Sequence, residues 1–328
     1  MQVNGQAVCL EERQEKAALQ SARSRVAILM CTSDGARFLD EQLASLHRQS
    51  CVDWRLYVSD DGSQDATLEI LRARQGEWGM DRVSILTGPQ RGFVANFLSL
   101  VCNPDIHADY FAWCDQDDIW HEEKLETALA WLQGTPEATP ALYCGRTETI
   151  SEFGARIGHS PLFRHPPHFA NALVQNIAGG NTMVFNNATR LLLQEAGADV
   201  DAPSHDWWAY QLVSGVGGVI RYDPRALVFY RQHQGNIIGS NTSWMARFKR
   251  VGMVFHGRYK SWSEQNIRAL DTMRDHLASE HRLTLDEFKM ARSGALLSRI
   301  RHYRNSGVYR QTFFGKLGLI AAILLRKI

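Results

Sequence analysis

YFAWCDQDDIW, residues 110–120, runs from five apolar residues straight into three carboxylates within four positions, Asp115, Asp117 and Asp118. The apolar half has the length and continuity of a buried strand. The acidic half repels itself unless something at the strand's end compensates it. Turn chemistry favours an Asp or two after a strand, but it does not ask for three. A divalent cation with a taste for oxygen ligands would make the cluster stable.

Working outward, the same pattern repeats on the N-terminal side. Residues 26–30 (VAILM), 54–58 (WRLYV) and 84–86 are short apolar runs. Helical apolar spacing follows each of them, over 37–47, 66–74 and 93–101, and again over 124–132 after the acidic strand. Strands alternating with helices predict βαβ units and an α/β fold, with a mainly parallel sheet covered on both faces. Ligands of such sheets bind beyond the carboxyl ends of the strands. The residues expected there are Thr32, Ser33 and Asp34, then Asp60 and Asp61, then the acidic cluster. Capping and turn formation explain any one of these groups. Three groups at one rim point to a ligand.

The motifs in order are CTSDGARFLDEQ, SDDGSQDAT (59–67), RGFVANF, CDQDDIW-x-x-x-KL, GGNTMVF (179–185), SHDWW and YRQHQGNIIG. Over residues 26–239 this series resembles glycosyltransferase family 2, and in detail its bacterial rhamnosyltransferase-like branch. That resemblance implies a GT-A, Rossmann-like fold and an inverting, metal-dependent transfer from a nucleotide sugar. It implies that Thr32 and Ser33 line the nucleotide pocket and that Asp60 accepts a hydrogen bond from the base. Arg91 approaches the base or diphosphate, Asp115 faces ribose, and Asp117 holds Mg²⁺ or Mn²⁺, with Asp118 supporting them. Family members often carry an aromatic residue where Ser33 stands, so a stacking platform for the base must come from elsewhere.

The second half of the expected site follows. Gly180 permits close backbone approach to the diphosphate or acceptor. In SHDWW, Ser204 caps a helix whose first turn carries His205 and Asp206, where the helix dipole favours a negative charge. The resemblance makes Asp206 an exposed, oriented base for the acceptor hydroxyl, with His205 as its rival. His233 completes the metal or diphosphate site from a loop, and Arg231 neutralises phosphate charge. The best-fitting donor is dTDP-rhamnose, and the acceptor a growing surface polysaccharide or lipopolysaccharide core. The alternatives are a UDP-hexose transferase of the same fold and a non-catalytic nucleotide-sugar-binding scaffold.

Composition bounds these readings. The chain has 328 residues, 45% hydrophobic and 22% charged, and a net charge of +1, which argues against nucleic acid as a partner. Six cysteines without a CxxC pair suit a reducing compartment. Residues 1–24 lack a secretory pattern and read as a polar extension. The catalytic domain is expected over 25–239, with a nucleotide half to 145 and an acceptor half from 146. Residues 240–328 read as a helical, basic and aromatic appendage. Residues 242–262 and 299–328 hold Arg, Lys and aromatic residues without acids, which suits the cytoplasmic membrane surface and a lipid-linked glycan acceptor. The last apolar run, 313–325, is shorter than the ~20 residues a span needs. The rival reading is a helical subdomain packed on the core.

Overall fold

A computed structural model describes residues 25–233 and 258–328. The polar extension, the boundary at 239/240 and most of the 242–262 segment lie outside the described residues.

The first strand sets the architecture. β1 (Val26–Thr32) is buried along its whole length. Ala27, Leu29 and Cys31 enter one apolar layer, and Val26, Ile28 and Met30 enter the other. A strand with two buried faces belongs in the middle of a covered sheet. α1 (Ala36–His47) leads to β2 (Trp54–Asp60), α2 (Thr67–Trp78) to β3 (Val83–Thr87), and α3 (Phe93–Cys102) to β4 (Tyr110–Cys114). All pairings among these four strands are parallel, in the order β3-β2-β1-β4.

Beyond β4 the expected parallel sheet becomes mixed. β5 (Ile119–Trp120) and α4 (Lys124–Leu132) precede β6 (Ala141–Ser151), which pairs with β7 (Arg156–His159) in a hairpin. The chain then passes through the single turn α5 (Phe169–Ala172) and a 3₁₀ turn, Gly180–Thr182, into β8 (Val184–Asn186). No long crossover helix lies on that path, so β8 returns antiparallel to β6 and to β4. α6 (Asn187–Ala196) and α7 (His205–Gly215) supply the crossover to β9 (Val219–Gln232), which lies parallel to β6. The order is β3-β2-β1-β4-β8-β6-β9-β5. Since β8 reverses twice, β6 and β9 point the same way as β4, and their carboxyl ends rise at one rim.

Four helices complete the described chain: α8 (Arg258–Thr272), α9 (Ser279–Arg292), α10 (Leu296–Ser306) and α11 (Phe313–Leu324). They pack on the catalytic part. Ile267, Leu270, Leu285, Phe288, Leu319 and Ile323 share one apolar cluster with Trp207 and Trp208 of α7. Tyr259 and Trp262 meet the Trp207 ring at 6.4 Å, and the Arg310 guanidinium covers Tyr259 at 5.2 Å. These two aromatics, expected at a bilayer interface, are turned toward the core instead. No helix among the described residues is long and apolar enough to cross a membrane.

Candidate active site

The carboxyl ends of β1 and β2 are tied by side chains. Thr32 Oγ1 donates to Asp60 Oδ1 at 2.8 Å, and both residues are buried. The same carboxylate accepts from the Gly62 N–H, the Ser63 N–H and the Ser63 hydroxyl, at 3.2, 3.0 and 2.6 Å. Four donors fill the roughly four acceptor positions of a carboxylate. Asp60 thus holds the 61–63 turn. Asp61 holds the next loop, accepting from the Gln90 N–H at 2.6 Å and the Gly92 N–H at 3.1 Å. Asp34, at φ 47°, accepts from the Gln64 N–H at 2.7 Å. Asp65 Oδ2 takes the Ala36 N–H at the start of α1, 3.0 Å away.

Gln116 joins this rim to the acidic loop. Its amide accepts from the Ser33 N–H and donates to the Ser33 carbonyl, each at 2.9 Å. Asp115 and Asp117 are half-buried, while Asp118 has no exposed surface. Asp118 is held from below by the Asn181 amide and by the Arg231 N–H at 3.2 Å. Asp117 Oδ2 lies 2.7 Å from His233 Nε2. Burial, reinforced by the charges of Asp117 and then Asp206, pushes Asp115 up to about 8, against a smaller pull from Lys124. Lys124 is the cluster's buried counter-charge. Its ammonium has no hydrogen-bond partner among the described residues, sits 3.2 Å from the Trp120 ring centroid, and is depressed to about 7 mainly by burial.

Arg231 departs from its expected role. Its guanidinium donates to the Asp117 carbonyl at 3.0 Å, to the Glu152 carbonyl at 3.0 Å and to Glu41 at 2.6 Å. Only 1% of the residue is exposed. In this arrangement the guanidinium is engaged by the loop, the hairpin turn and α1. It clamps the acidic loop to α1 and to the β6–β7 hairpin. Arg91 also points elsewhere, being exposed and paired with Asp199 at 2.6 Å.

Asp206 is buried at the first turn of α7, not exposed. Its Oδ1 accepts from the Trp207 N–H at 2.6 Å and from the Ser204 hydroxyl, and Oδ2 accepts from the Gly180 N–H at 3.1 Å. The Ser204 side chain is therefore spent on Asp206 and makes no cap bond of its own to the helix backbone. A Cβ on Gly180 would stand 2.3 Å from His205 Nε2, so only glycine allows this approach.

His205 is enclosed. Its ring stacks on Phe97 at 4.0 Å and meets the Trp113 edge at 4.6 Å, with neither nitrogen hydrogen-bonded among the described residues. Burial lowers it to about 4. In the unfolded chain the imidazole takes its proton near 6.5. Between pH 6.5 and 4 the unfolded state thus binds more protons, and the folded state loses up to ~3 kcal/mol as pH falls. Above pH 6.5 the group is neutral in both states and contributes nothing to the pH dependence. Urea unfolding of the wild type and His205→Leu at pH 7 and 4.5 should show a shallower acid loss in the variant. Parallel losses would contradict the buried neutral imidazole.

The structure therefore joins Thr32 with Asp60, Ser33 with Gln116, Asp117 with His233, and Gly180 with Asp206, while the charges of Asp117 and Asp206 both act on Asp115. Gln116, Asn181, Glu41 and Lys124 were not anticipated as parts of it. Two of them had a legible signal, since Gln116 alternates with two carboxylates and Lys124 belongs to the CDQDDIW-x-x-x-KL run. Among the described residues, no group of three or more His, Cys, Asp or Glu side chains could hold a metal ion unaided. Asp117 and His233 offer two ligands. That suits a hard cation completed by phosphate oxygens and water.

The family model for glycosyl transferase family 2 matches residues 27–196. The dTDP-rhamnosyl transferase RfbG of Shigella flexneri is 27% identical over 245 residues, 70% of this chain and 81% of that protein. Among solved structures, S. aureus TarS 1-349 aligns with a TM-score of 0.52 at 13% identity, covering 86% of this chain and 90% of that one. GalNAc-T7, solved with UDP, GalNAc and Mn2+, gives 0.53 at 10% identity, covering 92% and 59%. At such identities the two structures speak for the fold alone, which is GT-A.

Proposed function

The chain belongs to glycosyltransferase family 2, and from that premise we propose that it transfers rhamnose from dTDP-rhamnose, with inversion, to a hydroxyl of a growing surface polysaccharide or lipopolysaccharide core. One observation carries the reading. The adjacent residues Gly180 and Asn181 tie Asp206 of α7 and Asp118 of the acidic loop to one turn, and the charge of Asp206 reaches Asp115. The choice of rhamnose is supported by the Shigella relative, a dTDP-rhamnosyl transferase. A UDP-hexose donor is the second choice.

In this reading Asp206 accepts the proton of the acceptor hydroxyl while its oxygen attacks the anomeric carbon. The Gly180, Trp207 and Ser204 donors orient the carboxylate for that task. Asp115 meets the ribose hydroxyls. Thr32, Asp60 and Ser33 act through the loops they fasten, which wall the base pocket. Asp117 and His233 would hold Mg²⁺ or Mn²⁺, and such an ion supplies charge neutralisation to the leaving diphosphate. The Mn²⁺ present with GalNAc-T7 supports that assignment. Arg231 keeps Asp117 and Asp118 in place by binding the loop's backbone and spanning to Glu41.

The test is release of nucleoside diphosphate from a panel of donors, dTDP-rhamnose and UDP-hexoses, with and without Mg²⁺ or Mn²⁺. Metal-stimulated turnover of dTDP-rhamnose above the others is the expected result. Turnover of a UDP-hexose instead moves the donor to the second choice. Nucleotide-sugar binding without turnover of any donor would favour a scaffold.

A further inference from the structure

The last helix leaves one side uncovered. In α11, Leu319, Ala322 and Ile323 are buried against the core. Phe313, Leu317 and Leu324 lie on the opposite side with Phe314 and Leu325 beside them, all exposed, Phe314 to 83%. The spacing of four and seven residues puts the first three in one stripe. The stripe continues onto α10. Arg299 donates to the carbonyls of Ile323 and Leu324, and Arg326 donates to the Gly294 carbonyl. These bonds bring the start of α10, with Leu296 and Leu297 exposed, beside the end of α11.

The charge around this apolar surface has one sign. Residues 293–328 contain seven Arg and Lys and no Asp or Glu. Arg301, Arg304 and Lys316 are exposed and Lys327 is half-buried. None of the four appears in an ion pair among the described residues. We infer that the outward face of α11 and the first turn of α10 form a docking surface for an anionic lipid bilayer, with α11 lying in the interfacial plane. A helix of 12 residues is about 18 Å long, too short to cross ~30 Å of hydrocarbon. Apolar rings on one side with basic side chains at the margins are what an interfacial helix needs. A second copy fits less well, because pairing two such faces would bring like charges together. The inference is independent of the donor and of the transfer reaction.

The experiment is co-sedimentation of the full chain with vesicles of phosphatidylcholine alone or mixed with phosphatidylglycerol. No donor sugar is added, so the outcome leaves the transferase reading untouched. Wild type should bind the mixed vesicles and lose most of that binding at 0.5 M salt, where surface charges are screened within a few ångströms. Phe313→Ser with Phe314→Ser should weaken binding at least tenfold with an unchanged melting temperature, since both rings are exposed. Lys316→Glu with Lys327→Glu should abolish the preference for anionic lipid. Equal binding to both lipids by wild type and variants, or none by wild type, overturns the inference. A dimer in light scattering that dissociates in the Phe variant would give this face to a second copy.

Discussion

Replacing Asp206 with asparagine should lower kcat by a factor on the order of 10² or more while the donor Kd moves only a few-fold, the usual scale for a lost general base. The asparagine can keep its oxygen toward the Trp207 N–H and the Ser204 hydroxyl, which Oδ1 now serves. Its nitrogen must then face the Gly180 N–H, where Oδ2 now accepts at 3.1 Å. That donor–donor contact costs about 1 kcal/mol of stability, enough to register in a melting curve and too little to unfold the protein. A fall in kcat with donor binding intact marks an interaction made in the transition state. Collapse of donor binding with kcat retained would make Asp206 a structural partner of Gly180. His205 is a poor substitute, since neither of its nitrogens has a hydrogen-bond partner among the described residues inside its aromatic enclosure.

How much of this was legible depends on the kind of signal. The acidic strand and the helix behind it fall where the apolar spacing puts them, at 110–114 and 124–132. β1 and β2 run two residues past the apolar runs, because Thr32 and Asp60 are paired at the end of the ladder. Strand direction beyond β4 was not legible. A three-residue strand such as β8 carries no periodicity, and its antiparallel return depends on the absence of a crossover helix. Within the site, residue types were easier to read than orientations. Arg231 looked like a phosphate ligand because cations beside a cleft often are. Yet alternation along a strand puts Arg231 and His233 on the same side, so a histidine reaching Asp117 implied an arginine beneath the same loop. Asp60 similarly showed its chemistry without showing its occupancy. The four donors that fill it come from Thr32, Gly62 and Ser63, two loops apart in sequence.

Asp117→Asn should remove metal-stimulated turnover almost completely, to the order of one part in a hundred or less, by deleting a hard anionic ligand. The substitution is mild for the fold. Asp117 is half-buried, its carbonyl still accepts from Arg231, and an asparagine can still hydrogen-bond His233 across the present 2.7 Å contact. Asp118, the fully buried neighbour, keeps Asn181 and the Arg231 N–H and is untouched. What changes is one unit of negative charge at the strand's end, and among the described residues no group of three or more His, Cys, Asp or Glu side chains is there to replace it. Binding should report the same loss without turnover. In calorimetry with dTDP, Mn²⁺ should tighten the wild type at least tenfold and leave the variant's weaker, metal-free affinity where it was. His233→Ala should show a smaller version of both effects, because the neutral ligand is lost and the anionic one stays. Full activity of Asp117→Asn at millimolar metal, or Mn²⁺ enhancement of dTDP binding equal to the wild type's, would move the ion away from Asp117 and leave its contact with His233 a structural one.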